Sequence, residues 1–326
     1  MKKLSLFTES FFKEFFIRIT KNTDINEKHL SFYRVFSGLV FLLYFRPNYS
    51  WLSSIPEAFF LPKPFNIANL FGGFPPPIYF EITDYVIIIF LLATIIGFFS
   101  RFAFLGLFLL TVINNGFAYS LGKIDHFILG SLIFLVFAFT NSATSFAIRP
   151  EKKIKVHSKT LMFFGISIIF GFFTAGLQKA YHWIDFDLTT SGFLRWVYDI
   201  YFSSNQKPLL AEFFLNANPI LIEIIDYSGV LFELSGIIFL LYSKLSWRIY
   251  LIFASFFHLA NALILNIPFT IHFLVFGIWL LSSVLFRYKK ATFVFGLAYF
   301  FRGIYFDVYL WTLSLAMTLV GLFKKD

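Results

Sequence analysis

From Tyr85 to Tyr119 the only charged residue is Arg101. As one helix this stretch would run roughly 50 Å at 1.5 Å per residue, against a bilayer core of about 30 Å. It is too apolar for water and too long for one crossing. It therefore reads as two membrane helices that meet at Ser100-Arg101.

The same signal recurs along the chain. A first span is expected at 30–45, a fourth at 124–141, a fifth at 160–179, and three more at 223–242, 248–266 and 268–286. Between the first span and Tyr85 lies a loop rich in proline (Pro56, Pro62, Pro64, Pro75, Pro76, Pro77). Residues 1–29 form an N-terminal segment that opens like a signal peptide. Glu9, Lys13, Glu14 and Arg18 interrupt its apolar run, so it is expected to be retained. Within it Leu4, Phe7, Phe11, Phe12, Phe15, Phe16 and Ile19 share a face, which suits an amphipathic helix lying on the membrane surface. Residues 180–221 are expected to be a partly helical, extracytoplasmic interfacial segment, with Trp183, Trp196, Tyr198 and Tyr201 as anchors. Residues 291–326 are expected to close the chain as a hydrophobic hairpin. The fold class is all-α, a polytopic transmembrane helical bundle of about 8–10 helices, with its main membrane domain at 30–290.

Composition agrees: 58% of residues are hydrophobic and 14% charged, far from the balance of a soluble domain. The net charge of +9 does not imply nucleic acid, because the basic residues sit in short loops beside apolar spans. With the N-terminus inside, inner loops collect 19 of the 27 Lys and Arg residues and outer loops 7. A cytoplasmic N-terminus follows, as expected for an integral protein of a plasma (inner) membrane. There is no cysteine, hence no disulfide and no thiolate ligand. The usual metal-binding signatures are absent too, and no metal is expected.

A charge at a helix centre costs about 2.5–3.5 kcal/mol on insertion scales, so each polar residue in a span needs a reason. Lys179 ends the fifth span, behind Ala175-Gly176, with His182 and Trp183 following. His126 opens the fourth span and Asn114 closes the third on the same outer side; His272 lies there as well. Glu233 and His258 sit deeper, and Asn261 shares a helix face with His258. Glu233 is the natural partner for that histidine. Together these residues describe a polar cavity open to the outer face. A lysine desolvated among aromatic rings is more easily neutral, and a neutral lysine is a base. A nearby histidine and asparagine could hold an oxyanion or move a proton.

The order of motifs carries a resemblance. An Arg-containing first span (Tyr33-Arg34-Val35-Phe36-Ser37-Gly38-Leu39) is followed by Asp125-His126, by Ala175-Gly176-Leu177-Gln178-Lys179 with Trp183, and by Phe257-His258-Leu259-Ala260-Asn261. This resembles the HTTM family, the membrane domain shared with vitamin K-dependent gamma-carboxylase, over about residues 30–290. The resemblance implies that Lys179 deprotonates a reduced naphthoquinone of the vitamin K or menaquinol type. Oxygen then yields an alkoxide strong enough to drive carbon dioxide addition to a glutamate side chain. It further implies that His126 serves the carboxylation step, and that His258 and Asn261 line the quinone pocket. Glu233, Asn114, Trp183 and His272 complete the expected quinone site.

Shorter members include maturation factors of secreted bacterial peptides, related to sporulation-delaying protein B. The expected partners are therefore membrane lipid, a quinone and a secreted peptide or protein. The alternative to an enzyme is a non-enzymatic factor that matures or exports such a peptide.

Overall fold

The computed structural model describes residues 2–121, 128–185, 187–205, 207–267 and 269–287, with side chains from Ser10 onward. His126, the opening of the fourth span and the expected hairpin at 291–326 lie outside the described residues. Within them the chain is helical and contains no strand: α1 (Lys2–Thr23), α2 (Glu27–Leu43), α3 (Pro77–Ile96), α4 (Ser100–Tyr119), α5 (Ile128–Ala138), α6 (His157–Trp183), α7 (Gly192–Ser203), α8 (Ala211–Leu215), α9 (Pro219–Tyr242), α10 (Lys244–Leu265), α11 (Thr270–Leu280) and α12 (Ser282–Arg287). Five of these, α3, α4, α6, α9 and α10, are long and apolar enough to cross a membrane. Their outward faces are apolar, as lipid contact requires (Ile82, Ile89, Phe102, Phe170, Ile238).

Local chemistry sets the ends. Pro77 and Pro219 open α3 and α9, where a missing amide hydrogen costs nothing. Asn218, Ser243 and Ser191 accept first-turn amides of α9, α10 and α7. The expected break in the long apolar run lies at Gly97–Phe99. Gly97 takes the left-handed conformation (φ 75°) that closes α3, and α4 restarts at Ser100.

Several boundaries differ from expectation: α3 begins at Pro77 rather than Tyr85, and α9 and α10 each begin four residues early, at Pro219 and Lys244. α6 does not stop at Lys179 but continues through Trp183, since no glycine or proline intervenes. The expected span at 268–286 is two short helices, α11 and α12, separated at Leu281.

The described residues fall into two units. One holds residues of 1–24 and 161–280, the other residues of 25–160 and 281–287. In the second unit Arg34 has a structural role. It is fully buried in α2, and its guanidinium donates to the Phe146 carbonyl. The same loop returns amides from Ile148 and Arg149 to the Ile96 and Gly97 carbonyls, at 2.9 and 3.1 Å, capping α3. Tyr49 Oη donates to Asn115 Oδ1 at 2.8 Å, and Asn115 Nδ2 donates to Ser131 Oγ at 3.1 Å, which ties a loop tyrosine to α4 and α5. Burial pushes the Tyr49 hydroxyl well above the ordinary phenol range, so it stays a donor at neutral pH.

In the first unit α6 and α9 pack antiparallel. A methyl added at Gly176 would lie 2.8 Å from Glu233 Cβ, and one added at Gly236 would lie 3.3 Å from Ile169. Small residues thus bring the two backbones close at both levels. The end of α1 docks into this unit: Asn22 Nδ2 donates to the Leu240 carbonyl (2.7 Å), and Trp279 Nε1 donates to that of Thr23 (2.8 Å). The helix expected to lie flat on the membrane therefore has a buried last turn, while Phe11, Phe12 and Phe16 remain exposed.

Candidate functional site

Lys179 lies one turn before the end of α6, on the same face as Trp183. Its Nζ stands 2.5 Å from Glu233 Oε1 on α9, with side-chain exposures of 19% and 3%. The ammonium also lies 5.3 Å from the centre of the Trp183 ring and 5.5 Å from that of Phe257, within range of cation–π attraction. Glu233 was the expected partner of His258; the structure pairs it with Lys179 instead. The cause is Gly176, which has no side chain to hold α9 away.

The strength of this pair is a difference of large numbers. At 2.5 Å and an effective dielectric of about 20, Coulomb attraction is roughly 7 kcal/mol. Desolvation costs several kcal/mol per ion. The two nearly cancel, so the net contribution of the pair is small against either of them. Glu233 Oε2 has no hydrogen-bond partner among the described residues. The same holds for Tyr250 Oη, which sits 2.9 Å from where a Cβ on Gly236 would be, one turn along α9 from Glu233.

Gly176 supplies a direct test. Gly176→Ala must push α6 from α9 and should cost about 1–3 kcal/mol. Gly171, on the same helix, has open space around its Cα, so Gly171→Ala should be neutral or stabilise by up to about 1 kcal/mol through helix propensity. Thermal unfolding of the two variants side by side checks both signs.

His258 and His272 come together on α10 and α11. Both are buried, and their ring centres are 4.7 Å apart. Phe269, Phe276 and Phe172 surround His258 at 4.4, 5.6 and 5.7 Å. Phe172 also meets Phe257 at 6.4 Å, so one aromatic wall runs from the lysine to the histidine pair. Asn261 is half-buried, and its carbonyl accepts the Ile267 amide (3.3 Å) where α10 closes. Asn114 belongs to the other unit, and its Nδ2 donates to the Leu110 carbonyl of its own helix at 2.7 Å.

Sequence reasoning missed Tyr250, Phe257 and Asp226. Asp226 is buried on α9 and accepts from Ser191 Oγ (2.6 Å) and from the Phe193 amide (2.9 Å). It thereby fastens the start of α7. Gly192, the first residue of α7, has no side chain to collide with the Trp183 ring beneath it. Asp226→Ala would strand the Phe193 amide and should cost about 1–3 kcal/mol. The loss should appear as faster hydrogen exchange confined to α7; unchanged exchange there would remove the latch role. The signal for Asp226 was its place, about two turns into an apolar helix.

No family model, curated protein or solved structure matches this chain. Among the described residues no three His, Asp or Glu side chains converge as metal ligands.

Proposed function

We propose that the chain is a quinol-dependent membrane enzyme of the kind its sequence resemblance implies, with Lys179 as the base. The observation that carries this reading is the lysine amine held by a buried carboxylate at the aromatic end of an apolar helix. Such a site offers rings for a flat apolar ligand and a proton acceptor for its hydroxyl. His258, His272 and Asn261 stand on α10 and α11 of the same unit, joined to the lysine end by the aromatic contacts of Phe172 with Phe257 and His258. The distribution of Lys and Arg favours the outer face of a plasma membrane for this end of α6. Oxygen and carbon dioxide would be co-substrates, and a secreted peptide would be the acceptor. His126 takes the carboxylation role in this reading.

The experiment is epoxide formation. Purified protein in nanodiscs receives a reduced naphthoquinone and oxygen, and the epoxide is followed by mass spectrometry. Wild type should form it. Lys179→Ala combined with Glu233→Gln, which removes the base without leaving a lone buried charge, should form none. A folded double variant with full turnover would overturn the assignment.

A further inference from the structure

We propose that Glu233 is the proton store of Lys179: when the lysine takes a proton from an O–H acid, the proton it already carries passes to Glu233. This rests on the reading of Lys179 as a base toward a hydroxyl ligand. An ion-paired lysine is an ammonium with no lone pair, and in that state it cannot be a base. The geometry removes the difficulty. Nζ donates directly to Oε1, so a proton passes between them with no intervening group.

The step balances without any co-reactant. The ligand O–H bond breaks heterolytically, and its proton bonds to the Nζ lone pair. That lone pair is freed as a different N–H proton moves to Glu233 Oε1. No electrons are exchanged. The end state is an ammonium beside the ligand oxyanion, with a neutral carboxylic acid behind it. The pair changes from net zero to +1 as the ligand changes from zero to −1, so the site as a whole stays neutral. That matters in a place where a lone charge is costly. Trp183 and Phe257 present ring faces to the ammonium both before and after the transfer.

Glu233 acts through Lys179 and is a positioning residue that also holds a proton. Its depth suits that role. The carboxylate is 3% exposed against 19% for the lysine, so solvent and ligand approach the amine first. Oε2 is buried with no hydrogen-bond partner among the described residues. An acid proton on Glu233 therefore meets no competing donor.

The test uses the full chain in nanodiscs and 2-naphthol, whose anion absorbs separately from the neutral form. Infrared difference spectra before and after addition read the carbonyl stretch of a protonated carboxylic acid. The expected result is one new carboxylic acid per naphtholate formed, lost in Glu233→Gln and in Lys179→Met. Protein grown with carbon-13 glutamate should move the band, and Glu233→Asp in that labelled protein should remove the moved band if Glu233→Gln does not fold. Naphtholate without a carboxylic-acid band, a band that survives Glu233→Gln, or no ionisation of bound naphthol would each overturn the proposal. The naphthol readout needs neither oxygen nor a quinone. Failure of epoxidation with the band intact therefore counts against the quinol reading alone.

Discussion

Lys179→Met made alone is expected to destabilise the protein by about 3 kcal/mol, and Lys179→Met combined with Glu233→Gln by much less. Removing the lysine leaves Glu233 in a position that is 3% exposed with no cation to replace the lost one, so it must carry a lone buried charge or take up a proton, and either is costly. Breaking a buried pair from one side typically costs about 3–5 kcal/mol; the partial exposure of Lys179 places this case at the low end. Glu233→Gln alone should cost less, because the lysine side chain, 19% exposed, retains some access to water. The double variant has no charge to strand. The cycle should therefore report a coupling of about 2 kcal/mol between the two positions, read from thermal unfolding in detergent. Simply additive losses would mean a screened contact that contributes nothing.

The same cycle bears on chemistry. A strong coupling means that the pair behaves as one unit with one shared charge state, which is what a proton store requires. It also explains how an apolar helix tolerates Lys179 at all, since the penalty for a buried charge is offset within the protein.

How much of this was legible before the structure depends on which physical rule each feature obeys. That the long apolar run must divide was readable because bilayer thickness limits helix length, and the break lies at Gly97–Phe99, just before the expected Ser100-Arg101, because Gly97 closes α3. That Lys179 and Glu233 each need a partner was readable because charge in an apolar run is costly wherever the fold puts it. The pairing of the two was not. Hydropathy says that Glu233 needs a partner but not whether it is His258 or Lys179. That choice follows from the register of α6 on α9, which depends on Gly176 and Gly236 meeting particular neighbours. Asp226 escaped for a related reason, since its meaning lies in Ser191 and Phe193, some thirty residues earlier in the chain. The break at Leu281 was hidden because no glycine or proline marks it, and the Ser282-Ser283 pair that follows is tolerated within an apolar helix.

Trp279→Ala is expected to be the other severe change, costing about 3–5 kcal/mol. The indole is 1% exposed, packed edge-on to Trp247 at 5.4 Å and stacked on Phe164 at 5.7 Å. Deleting it opens a cavity among large, stiff neighbours that cannot collapse to fill it. The ring has a second role through its Nε1–H, which donates to the carbonyl of Thr23, the last residue of α1. Trp279→Phe separates the two. It keeps most of the packing but strands the Thr23 carbonyl, a loss of about 1–3 kcal/mol. If the indole is what ties α1 to this unit, Trp279→Phe should speed tryptic cleavage at Lys13, Arg18 and Lys21 beyond its modest effect on thermal unfolding. Asn22, whose amide reaches the Leu240 carbonyl, should then become the remaining anchor, and Asn22→Ala on top of Trp279→Phe should release α1 further. Unchanged cleavage in Trp279→Phe would mean that α1 is held instead by Asn22, by Thr20, whose hydroxyl donates to Met162 Sδ at 3.1 Å, and by packing of Ile19 and Thr23. Phe11, Phe12 and Phe16 are exposed, and the hydrogen bonds that dock α1 among the described residues lie in its last turns, at Thr20, Asn22 and Thr23.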